Sequence, residues 1–163
     1  MINVIVELSK YVILTLMVVY TFHCFYMVRR QDEDEKNEAL RQQLVLIFFM
    51  DFTAFLVIYL KTDNFQVITF YLEMMAYFAV IQILYRVFYK KASLLLLNNM
   101  CMLLSVGFIM LCRLDLETAT KQLVIVAAAS AVALVIPVMI RKMKFLKNLT
   151  WVYAGIGIVL LGA

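Results

Sequence analysis

Long apolar runs alternate with short charged islands along the whole chain. The first five runs are each long enough to cross a bilayer, whose hydrocarbon core of about 30 Å takes about 20 helical residues. The islands are therefore predicted to be the connections between membrane-spanning helices. The predicted spans cover residues 8–28, 44–60, 65–88, 94–112 and 122–140, with tight turns predicted at 61–64 and 113–121, and a sixth apolar segment begins near Trp151.

The sixth apolar segment is shorter than the other five. It covers residues 151–163, and 13 residues at the rise of an α-helix extend only about 20 Å. That length is less than the hydrocarbon core requires. We therefore expect this last segment to be truncated, and the chain to be the front part of a longer protein.

The composition agrees with the pattern. Hydrophobic residues make up 66% of the chain and charged residues 16%, whereas soluble domains are about half apolar and about a quarter charged. The runs also lack the polar face at helical period that a soluble bundle needs. The predicted fold class is all-α, a polytopic transmembrane helix bundle of about six segments embedded in a lipid bilayer.

The lysines and arginines predict the orientation of the helices. If the helices alternate in direction, eleven of these residues fall on one side: Arg29, Arg30, Lys36, Arg41, Arg86, Lys90, Lys91, Arg141, Lys142, Lys144 and Lys147. Four fall on the other: Lys10, Lys61, Arg113 and Lys121. The side richer in basic residues faces the cytoplasm. We therefore predict a multi-pass protein of the plasma membrane with its N-terminus outside.

Other classes of function find no support in the composition. The sequence pI near 9.0 comes largely from the loops that topology explains, so nucleic acid is not an expected partner. Cys24, Cys101 and Cys112 lie inside apolar runs, and their spacing fits neither a disulfide framework nor a zinc site. No cofactor motif is present.

Three ionisable residues lie within the apolar runs: His23, Asp51 and Glu73. A charge at mid-bilayer costs about 2.5–3.5 kcal/mol on insertion scales, so such residues face protein or water. Counting from the helix ends gives similar depths for His23 and Asp51, which predicts that they pair, whereas Glu73 lies nearer the outer side. Two interpretations stay open: a proton relay or polar cavity, and a structural interhelix pair or a neutral acid.

The charged island after the fourth run carries a family resemblance. The string GFIMLCRLD from Gly107 to Asp115, followed by ATKQL from Ala119 to Leu123, resembles the start of the membrane core in the FtsW/RodA/SpoVE (SEDS) family of cell-shape and cell-division proteins. Pro137, the basic stretch to Lys147 and the segment from Trp151 are similar to the family's next loop and helix. By this resemblance, residues 1–91 form a three-helix N-terminal extension and residues 92–163 begin the core.

The resemblance implies a function for the complete protein in peptidoglycan synthesis. Members of the family polymerise lipid II and work with a class B penicillin-binding protein. The family's catalytic aspartate lies in a large outer loop beyond position 163, so no catalytic residue is assigned here. The alternative from another class is a non-enzymatic membrane scaffold or a transporter component.

The same island supplies the polar candidates outside the membrane. These are Arg113, Asp115, Lys121 and Gln122. We expect Asp115 to shape the turn through a local ion pair with Arg113 or Lys121, and Lys121 and Gln122 to open the following helix.

Overall fold

Five helices make up the structure, a computed structural model that describes residues 2–29, 33–89 and 93–142. They are α1 (Ile2–Arg29), α2 (Glu33–Thr62), α3 (Gln66–Phe88), α4 (Leu94–Leu114) and α5 (Leu116–Lys142). Each is long and apolar enough to cross a membrane. The all-α, multi-pass fold class is confirmed. The sixth predicted segment lies outside the described residues.

Three helices begin before the spans predicted for them, and the first of these, α1, begins at Ile2 rather than near residue 8. Helix α2 starts at Glu33, ahead of the span predicted from Leu44, because the helix-forming residues 38–43, which are predicted to lead into that span, continue the helix toward its N-terminus. Its 30 residues extend about 45 Å, so its first turns project beyond the hydrocarbon core. Helix α5 starts at Leu116 rather than at Gln122. The turn predicted over residues 113–121 is too long, since only Asp115 separates α4 from α5.

The connection between α2 and α3 is the tight turn that the sequence predicts. Asp63 has φ of 50°, in the left-handed region that Asp tolerates better than most residues. Its N–H donates to the carbonyl of Tyr59 at 2.8 Å. The Asn64 side chain accepts a hydrogen bond from the N–H of Gln66 at 3.0 Å. These bonds satisfy backbone groups that the helix ends would otherwise leave free.

Helix α2 is the centre of the packing, since it contacts α1, α3 and α4. These helices belong to one compact unit, Met1–Val124. The predicted domain boundary after residue 91 stays a prediction, but α4 packs against helices on the other side of it. The described part of the second unit, Ile125–Ala163, is the remainder of α5, which continues past Pro137 to Lys142.

Residues at helical spacing form the interior of the first unit. On α3 the buried positions include Phe70, Met74 and Phe78, which recur every four residues and so lie on one face. Phe70 meets Phe108 of α4 edge-to-face, with ring centroids 6.0 Å apart. Phe55 of α2 lies against Phe70 at 5.9 Å. Apolar contacts therefore join α2, α3 and α4.

The helix ends alternate between two faces of the unit, as the sequence predicts. Met27 at the end of α1 packs with Ala39 and Leu40 near the start of α2, and with Leu94 and Leu95 at the start of α4. The start of α1 therefore lies at the opposite face, with the ends of α2 and α4. Which face is cytoplasmic stays a prediction from the lysines and arginines.

Impermeant thiol labelling in intact cells tests the predicted sides. In a background with the native cysteines replaced, Asp63→Cys should be labelled and Asp34→Cys should be protected until the cells are opened. Both positions are exposed in the structure, so protection reports the membrane and not burial. Labelling at position 34 with protection at position 63 would reverse the predicted orientation.

Candidate functional site

A layer of buried amides crosses the interior of the first unit. Gln43 of α2, Gln82 of α3 and Asn98 of α4 are all buried, with Gln43 0% and Asn98 1% exposed. Asn98 Nδ2 donates to Gln43 Oε1 and to the carbonyl of Leu40, both at 3.1 Å. Gln82 Nε2 donates to Asn98 Oδ1 at 2.8 Å. We call Gln43, Gln82 and Asn98 the amide layer.

The amide layer continues to α1 through a thiol and a second asparagine. Gln43 Nε2 donates to Cys24 Sγ at 3.4 Å, and Cys24 Sγ donates to Asn99 Oδ1 at 3.3 Å. Tyr20 Oη donates to the same oxygen at 2.8 Å. Four helices are thus joined by side-chain hydrogen bonds. In lipid, where apolar surfaces have no hydrophobic reason to associate, such bonds act together with close packing to hold helices in register.

A second buried polar contact lies about two turns away along α4. The Ser105 hydroxyl donates to Asp51 Oδ1, and both side chains are 0% exposed. Asp51 Oδ2 and the hydroxyl of Tyr71 are also buried and have no hydrogen-bond partner among the described residues. Seven residues separate Asn98 from Ser105, which is about 10 Å at helical rise. The interior therefore holds two polar levels separated by apolar and sulfur-containing side chains.

The structure corrects the predicted pairing of His23 with Asp51. Asp51 is hydrogen-bonded to Ser105 instead, and His23 Nδ1 is buried with no partner in the part of the chain that the structure describes. Because Cys24 bonds to Gln43, the antiparallel helices place His23 beside the amide layer and about two turns from Asp51. Depth estimates from the sequence placed the two residues too close, because α2 begins before the apolar run from which its depth was counted.

Glu73 lies apart from both residues, as its position in the sequence predicts. Its side chain is exposed on α3. It lines a cavity of about 480 Å³ together with Thr69 of α3 and Glu117 of α5. No group of His, Cys, Asp and Glu suited to hold a metal ion occurs within residues 2–29, 33–89 and 93–142.

Asp115 caps α5 and does not form the predicted ion pair. Its backbone is extended, with φ of −157° and ψ of 114°, as in the residue before a helix. Its carboxylate accepts from the N–H groups of Glu117 at 3.2 Å and Thr118 at 3.1 Å, and from the Thr118 hydroxyl. Lys121 pairs with Glu117 at 2.7 Å. The capping bonds explain why the connection needs only one residue.

The other candidates at this junction are exposed. Arg113 lies in the last turn of α4, and Gln122 lies in the second turn of α5 rather than at its start. Neither residue contacts the amide layer or Asp51. The structure therefore places two of the seven candidates, His23 and Asp51, among the buried polar contacts, and leaves the other five exposed.

Replacing Asp115 tests the cap. The hydrogen bonds from Thr118, first from its hydroxyl and then from its N–H, hold the pKa of Asp115 below its ordinary value. The folded pKa is lowered, so the stabilising contribution is present above the ordinary pKa and is lost as pH falls through the folded value. Asp115→Ala should speed amide exchange at Glu117 and Thr118, relative to intrinsic rates.

The matched variant for this experiment is Asp115→Asn. It keeps one acceptor oxygen, so the amides of Glu117 and Thr118 should remain partly protected against hydrogen exchange. Because the titrating carboxylate is gone, this protection should no longer change as pH falls through the pKa of Asp115. Equal protection in the wild type and Asp115→Ala would contradict the capping role.

Sequence reasoning from ionisable residues missed the amide layer. A signal was nevertheless present on α4, where the buried polar and sulfur positions Asn98, Cys101, Ser105 and Cys112 follow at steps of three, four and seven. This spacing places them on one helical face. A search for neutral polar side chains at helical period would have found that face.

Comparisons of the chain with protein-family models, curated proteins and solved structures give no match. The likeness of the segment from Gly107 to Leu123 to the SEDS family therefore stays a prediction from the sequence.

Proposed function

We propose that this chain is the N-terminal membrane part of a SEDS-family glycosyltransferase of the bacterial plasma membrane. The complete protein polymerises lipid II into peptidoglycan strands together with a class B penicillin-binding protein. The observation that carries the proposal is the ordered string from Gly107 to Leu123. Its two parts fall on the end of α4 and the start of α5, on either side of the Asp115 connection.

The contribution of residues 1–124 to that function is mechanical. Helix α4, the first helix of the proposed core, bonds through Asn98 to α2 and α3 and through Asn99 to α1. These helices belong to the proposed N-terminal extension. A core helix held by three additional helices keeps a fixed position in the membrane, so the extension supports the enzyme's scaffold and takes no part in its chemistry.

Catalysis is expected outside these residues. Glycosyl transfer needs a carboxylate or another base positioned at the acceptor hydroxyl. On the predicted outer face, the Asp115 carboxylate caps α5 and Glu117 pairs with Lys121. Glu7 and Asp63 lie on the first helix and on the tight turn. The catalytic aspartate that the resemblance implies lies beyond position 163.

The test compares the complete protein with residues 1–163 in a lipid II polymerisation assay resolved on a gel. The complete protein, supplied with its class B partner, should form glycan polymer, and the 163-residue chain should form none. Polymer from the 163-residue chain would contradict this location of catalysis. Absence of polymer from the complete protein would contradict the family assignment.

A membrane scaffold without enzymatic activity is the second candidate. The amide layer favours it, because bonds that join four helices hold them in fixed positions. A scaffold would bring partner proteins together and leave lipid II unchanged. The same assay separates the two candidates, since only the enzyme produces polymer.

A further inference from the structure

A cavity of about 400 Å³ opens at the predicted outer end of the first unit. The start of α1 and the last turns of α2 and α4 form its walls. Its lower wall is apolar and includes Ile13 of α1, Val57 of α2 and Ile109 of α4. The cavity therefore extends from the helix ends toward the membrane interior.

Three cationic side chains line this cavity, one from each of the three helices. They are Lys10 of α1, Lys61 of α2 and Arg113 of α4. The sequence places only four basic residues on this face, so three of the four converge here. The fourth, Lys121, pairs with Glu117 and does not line the cavity.

The three cations form no ion pair with another side chain in the described part of the chain. No carboxylate is among the described residues that line it. The remaining polar lining residues, Ser9 and Thr62, donate their hydroxyls to carbonyls of their own helices at 2.8 Å. The cavity therefore combines a cationic lining at its mouth with an apolar wall below it.

We propose that this cavity binds one acidic phospholipid of the outer leaflet. The phosphate lies among Lys10, Lys61 and Arg113, and an acyl chain covers the apolar wall. Arginine can bind two phosphate oxygens at once, and lysine adds point charges. Basic pockets between transmembrane helices bind acidic lipid headgroups in this way. The proposal rests on the cavity and is independent of the family assignment.

The apolar wall is the reason to favour a phospholipid over a free anion. Inorganic phosphate would use the three charges but would leave Ile13, Val57 and Ile109 uncovered. A phospholipid satisfies both parts of the cavity, and the bilayer supplies it at high local concentration. A zwitterionic lipid carries a cationic group that the three basic side chains repel.

Lipid titration followed by native mass spectrometry tests the proposal. The purified chain in neutral detergent should bind one phosphatidylglycerol in preference to phosphatidylcholine. Lys61→Gln and Arg113→Gln should each weaken phosphatidylglycerol binding about fivefold, the equivalent of about 1 kcal/mol per basic residue. The triple variant with Lys10→Gln should lose the preference for the acidic lipid.

Lys121→Gln is the matched control, because it removes a charge from the same face outside the cavity and should leave binding unchanged. Arg113→Lys keeps the charge and should retain most of the affinity. Thermal melting identifies any variant that does not fold, and Lys10→Gln and Lys61→Gln test the site independently of Arg113.

Three results would overturn the proposal. One is equal binding of phosphatidylglycerol and phosphatidylcholine by the wild type. Another is a loss of phosphatidylglycerol affinity in Lys121→Gln as large as that in Lys61→Gln, which would indicate that the lipid is attracted by the charge of the whole face and not by the cavity. The third is displacement of the lipid by inorganic phosphate at equal concentration, which would assign the site to a free anion.

Discussion

Replacing Asn98 by leucine should lower the free energy of unfolding by about 2 kcal/mol, since three hydrogen bonds are lost and such bonds average about 0.6 kcal/mol in membrane proteins. The change removes the Asn98 Nδ2 donor to Gln43 Oε1 and to the Leu40 carbonyl, and the Asn98 Oδ1 acceptor of Gln82 Nε2. Gln43 Oε1 then remains in an apolar interior without its Asn98 donor, and the Leu40 carbonyl keeps only the backbone bond within α2. Unfolding in detergent mixtures or under a steric trap measures the loss.

A double-mutant cycle shows that the loss belongs to the amide layer. Gln43→Leu removes the other side of one bond, so the double variant with Asn98→Leu should be less destabilised than the sum of the single variants. Leu103→Ala is the control on the same helix, because Leu103 is 74% exposed. Additive losses, or a neutral Asn98→Leu, would contradict the network.

Removing the Ser105 hydroxyl should destabilise the protein by about 1.5 kcal/mol, near the upper limit measured for a hydrogen bond in a membrane protein. Ser105 is the hydrogen-bond donor to Asp51 in the described residues. Without it, the carboxyl group is left buried with neither oxygen bonded. Ser105→Ala should therefore lower the free energy of unfolding of the wild type and leave that of Asp51→Leu nearly unchanged. Unfolding measurements on the wild type, the two single variants and the double variant test this.

His23 supplies the contrast for this cycle. It forms no hydrogen bond with Asp51 in the described residues, so the effects of His23→Leu and Asp51→Leu should add, unlike those of Ser105→Ala and Asp51→Leu. Asp51→Leu alone should still insert, since it removes an acid from the membrane interior. Non-additivity between positions 23 and 51 would restore the pairing that the sequence predicts.

These contrasts show where reasoning from the sequence succeeds. The five spans within the described residues, their approximate limits and the alternation of their ends follow from runs of apolar residues, because a bilayer requires about 20 such residues for each crossing. Residues 94–112 were predicted as a span and α4 covers Leu94–Leu114. The tight turn before α3 was also predicted, since Asp63 and Asn64 favour a short connection.

The partners of polar side chains required the tertiary structure. A helix that is apolar around its whole circumference does not show which of its faces points to the other helices. The sequence therefore could not tell that the face of α2 that carries Asp51 packs against Ser105. The length of the α4–α5 connection likewise depended on whether Asp115 accepts bonds from Glu117 and Thr118 or pairs with a cation.

The sequence by itself determined a membrane protein of alternating helices with most of its positive charge on one side. Only the tertiary structure decided that Asn98 joins α2, α3 and α4, and that Lys10, Lys61 and Arg113 surround one cavity. The physical reason is the range of the forces concerned. Transfer into lipid depends on the summed hydrophobicity of each segment, which is local in sequence. Hydrogen bonds and charge clusters depend on distances between helices that are far apart along the chain.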